Sequence, residues 1–406
     1  MQAARVAWCA ISSMIRMAKR SEEPLYLDFA ASTPPADEVV DAMLPWLRHA
    51  HANPHSEHFQ GRRTALALDD ARGAVAALIG GQPEGVVFTS GATEANNLAL
   101  KGLLSATGAR KRLWLADTEH KSLREPARHL SRAGVTVTRV AVQSTGLFDV
   151  AALMAALDTP DCTPGLIAVG HGNNEVGTLQ PLPALAECVH TYGHLLHVDA
   201  SQSAGRVPLD VEAINCDLMC LSSHKLYGPA GIGALYVARD LQEQLEPQLH
   251  GGGQEGGLRS GTVPTFLAVG FGTAATLARR RIIEDAEHQQ RLAAEFLDTL
   301  SEQGVAFQLI GHPTQRLPGH LSLRFPGVDA EDLLALLAPV LSASTGAACA
   351  AGELRASHVL RALGLDESAA SEVIRFTFGR STREEELRLA VEHTAAAIGR
   401  IYERSC

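Results

Sequence analysis

The chain has 406 residues, 46% of them hydrophobic and 20% charged, with a formal net charge of -10. That length allows more than one domain, and the composition is that of a globular chain. The acidic balance excludes a nonspecific binder of nucleic acid or anionic membrane, which needs a basic surface, and no apolar run is long enough to span a bilayer.

The first twenty residues, MQAARVAWCAISSMIRMAKR, carry Arg and Lys but no acid. They read as a transit peptide, a disordered extension, or an upstream start before Met17. From about residue 64 to 280, short β-rich apolar runs alternate with helical patterns. The runs are GVVFT, RLWLAD, VTVTRVAV, LIAVGHGN, LLHVDA, DLMCLSS and IGALYV; EANNLALKGLLSA and LREPARHLSRAG are two of the helical stretches. This alternation predicts a mostly parallel sheet covered on both faces by helices, with ligands at the carboxyl ends of the strands.

Four pieces of this region carry candidate chemistry. In VVFTSGATEANN, residues 86–97, a strand runs into Ser90 and Gly91 and a helix opens at Ala92 and Thr93. Free N–H groups at such a start form a cup for an anion, or the start is simply capped. In EHK, His120 follows the strand RLWLAD. It reads as a ring-stacking or proton-shuttling imidazole, or as a satisfied polar group. In LLHVDASQSAG, Asp199 ends an apolar strand, where it can pair with a protonated ring nitrogen or cap the next segment. The chain has five lysines, at 19, 101, 111, 121 and 225. Lys225, in LSSHKLYGPAGIGALY, lies between two predicted strands, in a place that suits either a neutral nucleophilic amine or an anion-binding ammonium.

After about residue 265 the pattern changes to one long helical run, FLAVGFGTAATLARRRIIEDAEHQQRLAAEFLDTLSEQG. There follow GHLSLRF, the helix DAEDLLALLAPVL, the loop SASTGAACAAGEL, then SHVLRALGL, EVIRFTFG and a final helix TREEELRLAVEHTAAAIGRIY. This predicts a smaller α+β domain. The expected boundaries are an extension at 1–20, a large domain at 21–275 (with 21–34 able to pack on the small domain) and a small domain at 276–406.

Cysteines occur at 9, 162, 188, 216, 220, 349 and 406. An odd count without a C-x-x-C spacing argues against a disulfide framework and for a reducing cytosol. Cys216 and Cys220, spaced as CDLMC, have no nearby His or Cys pair to complete a metal site, so they read as core thiols. Cys349 sits among Ser, Thr, Gly and Ala. It is either a small hydrophobe or a thiol that must travel.

Taken together, an anion cup, a histidine, a strand-end carboxylate and a rare lysine are the equipment to bind pyridoxal phosphate. In order along the chain, YLDFAASTPP, NPHSEHFQGR, FTSGATEANN, TEHKS, GNNEVGTLQPL, HVDASQSAG, SSHKLYGPAGIGALY, GGGQEGGLRSGT, SHVLRALGL and IRFTFGRSTREEEL resemble the cysteine desulfurases of the nitrogen-fixation and iron–sulfur-cluster type, within the class V aminotransferases. The resemblance runs from about residue 25 to 400. It implies an α/β protein of PLP-dependent transferase fold type I, with a mostly parallel seven-stranded sheet and a smaller α+β C-terminal domain.

The resemblance also implies roles. Lys225 would bond covalently to the pyridoxal phosphate aldehyde. Asp199 would pair with the pyridinium, and His120 would stack on the ring and handle the substrate thiol proton. Asn174 and Gln202 would contact the phenolic side of the ring, and Ala92, Thr93, Ser222 and His224 would hold the phosphate. Thr262 would reach the phosphate of a neighbouring subunit, implying a homodimer. Arg375 would clamp the substrate carboxylate, with Asn174 beside it. Cys349 would take sulfur from L-cysteine as a persulfide, releasing alanine, and pass it to an acceptor protein in the cytosol for iron–sulfur clusters, tRNA or DNA thiolation. No direct nucleic-acid or membrane contact is expected. Related activities are those of a transaminase or a selenocysteine lyase, which would not need Cys349. Three positions depart from the family pattern: Ala347 and Ala350 replace hydroxyl residues flanking the cysteine, and Gly256 stands where Arg is frequent. Seven residues between Cys349 and SHVL match the longer-loop group.

Overall fold

A computed structural model describes residues 23–49, 52–104, 111–158, 163–346 and 357–405. Its central sheet comprises β2 (Val86–Thr89), β3 (Arg112–Ala116), β4 (Thr136–Val140), β5 (Leu166–Gly170), β6 (Leu195–Asp199), β7 (Leu218–Ser222) and β8 (Gly233–Val237), preceded in the chain by the short β1 (Leu25–Tyr26). The spatial order is β2-β8-β7-β6-β5-β3-β4. All the runs named above as strands form strands. β8 is antiparallel to both its neighbours, and the remaining pairings are parallel.

The inner strands are buried along their length because helices cover both faces, which is why they read as unbroken apolar runs. Edge strand β4, TVTRV, is partly exposed and mixes polar with apolar residues. On one face lie α1 (Asp37–Arg48), α2 (Phe59–Leu78) and α8 (Thr265–Glu302); on the other lie α3 (Ala92–Leu104) and α4 (Lys121–Arg132). Helices α5 (Val150–Leu157), α6 (Leu182–Thr191) and α7 (Val211–Ile214) complete the connections of the sheet. The first core layer joins Leu68, Val75 and Phe88 to Phe271; the second joins Leu98, Leu115, Leu123 and Leu235. Each fully buried Leu or Phe of this kind contributes about 1.5–3 kcal/mol. Cys216 belongs to the first layer and Cys220 to the second, on opposite faces of the sheet, so the two thiols do not share a site.

A second sheet, β9 (Gln308–Leu309), β10 (His320–Arg324) and β12 (Val373–Thr377), is antiparallel. With β11 (Leu341–Ser342), α9 (Ala330–Leu337), α10 (His358–Ala362), α11 (Glu367–Ser371) and α12 (Glu384–Ser405), it forms the C-terminal unit. Phe296 near the end of α8 packs on Phe376 and Phe378 of this unit at 5.0 and 5.5 Å between ring centroids. Helix α8 is therefore shared: its start lies on the central sheet and its end in the second core. β1 pairs in parallel with β11, which ties the beginning of the described chain to the C-terminal unit.

β2 is antiparallel to β8, and β8 antiparallel to β7, so β2 points the same way as β3, β5, β6 and β7. The carboxyl ends of these five strands share one edge of the sheet. Every candidate of the large unit except Thr262 lies at or just beyond that edge.

Candidate active site

A cavity of about 460 Å³ opens at this edge. Ala92, Thr93, His120, Asn174, Asp199, Gln202, Ser222, His224, Lys225 and Arg375 all line it, so ten residues read from separated motifs converge. Thr262 does not line the cavity of its own chain and is exposed. Cys349, with Ala347 and Ala350, lies outside the described residues. Gly346 does line the cavity, and three peptide units separate it from Cys349. Three residues span at most about 11 Å, so the Cα of Cys349 is tethered within that distance of the Gly346 Cα.

Lys225 follows β7 in a short 3₁₀ turn. Its Nζ donates to the carbonyls of Ala30 and Ala31 at 2.6 and 2.7 Å. Those carbonyls come from YLDFAAS, so the segment after β1 forms one wall of the site.

Asp199 is the last residue of β6 and is buried. Its Oδ1 accepts from the Ser201 hydroxyl at 2.5 Å and the Ser201 N–H at 3.0 Å; its Oδ2 accepts from Asn96 Nδ2 at 2.7 Å. Asn96 also donates to Ser122 Oγ at 2.9 Å, and its Oδ1 meets His197 Nε2 at 2.8 Å. Ser122 Oγ meets His120 Nδ1 at 2.9 Å, and that same nitrogen accepts the Ser122 N–H at 3.1 Å. Nδ1 is thus an acceptor, which places the proton of a neutral His120 on Nε2. Burial, with Lys225 and Lys121 nearby and only partly offset by Asp199, lowers the pKa of His120. Asn96 therefore links the carboxylate to the imidazole. It stands on α3, where sequence alone reads an ordinary polar helical position.

The anion cup forms where β2 enters α3. Gly233 packs so closely under Gly91 that an added Cβ would lie 2.7 Å from the Gly91 backbone, which brings the loop down onto the sheet. Glu94 folds back to accept the Ser90 N–H at 2.7 Å and pairs with Arg259 at 2.7 Å. Ala92 and Thr93, at the start of α3, line the cavity, where the positive end of the helix dipole lies. His224 Nδ1 meets Ser32 Oγ at 3.1 Å, and burial together with Lys225 pushes its pKa down to about 4, so this imidazole is a neutral donor or acceptor.

Arg375 is 3% exposed. Its guanidinium donates to Asn174 O at 2.6 Å, to Asp28 Oδ1 at 2.5 Å and to Ser344 Oγ at 2.9 Å, while its Nε has no partner. A carboxylate entering here would find the Nε proton and one remaining Nη1 proton. Gln202 donates to Ala30 O at 2.9 Å and keeps its Oε1 buried without a partner. Buried unpaired polar atoms are rare, and these two belong to residues that line the cavity. The residues present therefore fit pyridoxal phosphate: a helix start for the phosphate, a strand-end carboxylate for the ring nitrogen, an amine beside them and polar atoms without partners.

Two carboxyl groups escaped the sequence reading. Glu119 lines the cavity and accepts the Gly170 N–H at 2.9 Å; burial first, then the charge of Asp199, pushes its pKa up to about 8. Glu175, in GNNEVGT, is 2% exposed, and burial pushes its pKa up to about 7. Both stand in quoted motifs, but their burial was not visible there. A larger, more open cleft of about 940 Å³ holds none of the candidates, and its Arg72 and Glu255 are paired with each other at 2.7 Å. Gly256, the departure from the family pattern, lies in that cleft with φ 65°, a conformation that favours glycine over arginine.

Residues 25–389 match the family Aminotransferase class-V. The chain is 40% identical over 384 residues to a protein of Rickettsia bellii named cysteine desulfurase IscS, covering 94% of this chain and 93% of that one. A solved NifS-like protein superposes with a TM-score of 0.85 at 30% identity, covering 93% of this chain and 99% of that one. A structure described as SspA in complex with cysteine superposes with a TM-score of 0.77 at 33% identity, covering 87% of this chain and 99% of that one.

Proposed function

The chain belongs to the class-V aminotransferase family, among its cysteine desulfurases, and from that premise we propose how its own residues divide the reaction. The protein is a PLP-dependent cysteine desulfurase. The observation that carries the assignment of roles is the convergence of Lys225, Asp199, His120 and Arg375 on one cavity, with Gly346 at its wall three residues before Cys349.

Pyridoxal phosphate would be held by the start of α3 at Ala92 and Thr93, by Ser222 and His224, and by Asp199 at the ring nitrogen, with Asn174 and Gln202 at the phenolic side. When bound, it supplies an electron sink for bonds at the α-carbon of an amino acid. Lys225 would carry the group covalently in the resting protein and then take the α-proton on Nζ. The carbonyls of Ala30 and Ala31 hold that nitrogen in place. Arg375 would orient the substrate carboxylate, its own position set by Asp28, Ser344 and Asn174. His120, with its proton on Nε2, would lie over the ring and exchange a proton with the substrate sulfur. The Cys349 thiolate would attack that sulfur: an S–S bond forms as the Cβ–S bond of L-cysteine breaks, its electron pair stays with the carbon skeleton, and Cβ takes up a proton. The balanced products are a Cys349 persulfide and L-alanine.

The reading extends to a homodimer in which Thr262, exposed on its own chain, completes the phosphate cup of the partner, and to a cytosolic protein that hands sulfur to an acceptor protein. Among the described residues, Cys188, Cys216 and Cys220 are free thiols and no helix is long and apolar enough to cross a membrane. The domain division of this reading, at residue 275, falls inside the continuous helix α8.

The deciding experiment pairs two variants. Cys349→Ser keeps the yellow cofactor and binds L-cysteine but releases no sulfide with reductant; release at the parent rate would refute the acceptor role. Lys225→Ala loses the visible absorbance of the resting protein, and an unchanged spectrum would refute the covalent role.

A further inference from the structure

The loop 250–262 ends on the exposed Thr262 and is stitched into one body. Gly261 N–H donates to Gln254 Oε1 at 2.8 Å, Gly253 N–H to Ser260 Oγ at 3.3 Å, and Ser260 N–H to Leu249 O at 3.2 Å. Glu255, Gly256 and Gly257 follow one another at φ 52°, 65° and 86°. Glycine adopts such angles freely, whereas glutamate is strained there and keeps the conformation only where its surroundings fix it.

Two ion pairs supply that fixing. Glu255, its side chain 3% exposed, takes Arg72 of α2 on both oxygens at 2.7 and 2.8 Å, and its Oε2 also accepts the Phe88 N–H at 2.7 Å. Arg72 Nη1 donates in turn to Val86 O. Because β2 is the outer strand of the central sheet, this pair satisfies backbone groups on its free edge. The second pair lies beyond the end of the same strand. Arg259 Nε and Nη2 donate to Glu94 Oε1 and Oε2 at 2.7 and 3.2 Å, and Glu94 Oε2 accepts the Ser90 N–H at 2.7 Å. Two-pronged bonds between charged groups are roughly twice as strong as neutral ones and fix orientation as well as distance. Together the two pairs seat the loop on β2 and on the start of α3, the segment that forms the anion cup of the same chain.

We infer that Glu255 and Arg259 are positioning residues: they fix the loop at two points, so that Thr262 is presented ready-placed to the phosphate of the partner's cup. The inference rests on the assignment of Thr262 to that phosphate. A hydroxyl on an unanchored loop would lose its freedom on meeting the phosphate, while one already held does not, and the difference appears as affinity. Arg259 has two ways to act: outward through Thr262, and inward through Glu94, which lines the cavity of its own chain. Glu255 and Arg72 lie in the separate, larger cleft and act only through the loop. The outward path therefore predicts that both pairs behave alike and that neither matters once the Thr262 hydroxyl is gone.

The test titrates the cofactor-free, full-length protein with pyridoxal phosphate and, as control, with pyridoxal, which lacks the phosphate. Thr262→Val should raise the Kd for pyridoxal phosphate at least about tenfold, the loss expected for a hydrogen bond to a charged group, and leave that for pyridoxal within about threefold. Arg259→Met and Glu255→Gln should each raise the Kd for pyridoxal phosphate at least about fivefold, again sparing pyridoxal. Glu255→Gln keeps an acceptor for Phe88 and Arg72, so it carries the test if Arg259→Met does not fold. Added to Thr262→Val, either change should raise Kd by no more than about a further twofold, because an absent hydroxyl cannot be misplaced. An unchanged Kd for a folded Arg259→Met or Glu255→Gln overturns the inference. So does an equal loss for pyridoxal, or losses that add fully in the double variants, which would place the effect in the chain's own cup. An unchanged Kd for Thr262→Val would instead overturn the assignment of Thr262 to the partner's phosphate.

Discussion

Glu119→Gln isolates what burial does to a single carboxyl group. Glu119 is 5% exposed, and burial together with Asp199 raises its pKa from the ordinary 4.5 to about 8. In the unfolded chain it would titrate near the ordinary value. Between those two values the native state keeps a proton that the unfolded state has released. Stability therefore falls as pH rises from the unfolded value to the folded one, and the whole contribution is present only below that window. At about 1.4 kcal/mol per pH unit, a window of about 3.5 units is worth at most about 5 kcal/mol. Relaxation around the charge would reduce this. Glutamine keeps an acceptor for the Gly170 N–H and cannot ionise. The assay is urea unfolding of the cofactor-free parent and variant at roughly pH 5, 6.5, 8 and 9. The difference between them should move in favour of Glu119→Gln by up to about 1.4 kcal/mol per unit through the window and level off above pH 8. A difference that does not change with pH, or one that moves in favour of the parent as pH rises, would refute the reasoning.

Two further substitutions probe the other walls of the cavity. Arg375→Lys keeps a positive charge but loses the fork that holds Asp28, Ser344 and Asn174 while leaving donors for a carboxylate; KM for L-cysteine should rise about 10- to 100-fold with a smaller change in kcat, read by steady-state kinetics. Gly346→Ala combines a left-handed backbone, about 1–2 kcal/mol, with a methyl group driven onto Glu175, about 1–3 kcal/mol. Because the strain is local, sulfide release should drop at least about tenfold; parent-like release would show that the contact carries nothing.

The strands were legible because a sheet covered on both faces turns each inner strand into an apolar run ending in polar or small residues, as in LLHVDA and DLMCLSS. The reversed direction of β8 was not. IGALYV has the same pattern whether it runs parallel or antiparallel, and only its partners β2 and β7 decide. Nor did the pairing of Leu25–Tyr26 with Leu341–Ser342 leave a local mark, since two residues carry no period. Lys225, Asp199 and His120 could be picked out as candidates from their places after strands, and Lys225 also from the scarcity of lysine. Asn96, Glu119 and Glu175 could not. Asn96 sits in a helix as any polar residue would, and the two glutamates look like solvated charges until the fold encloses them.

By itself, then, the sequence determined which groups stand at the ends of the strands, an amine, a carboxylate, an imidazole and a helix start, because residue type and its place after a strand are local properties. The tertiary structure decided what those groups are worth. Hydrogen-bond partners such as Asn96 and Ser122, and the dielectric around Glu119 and Glu175, come from residues far apart in the chain. That same closure seats Gly346, at the cavity wall, against the stem of Glu175.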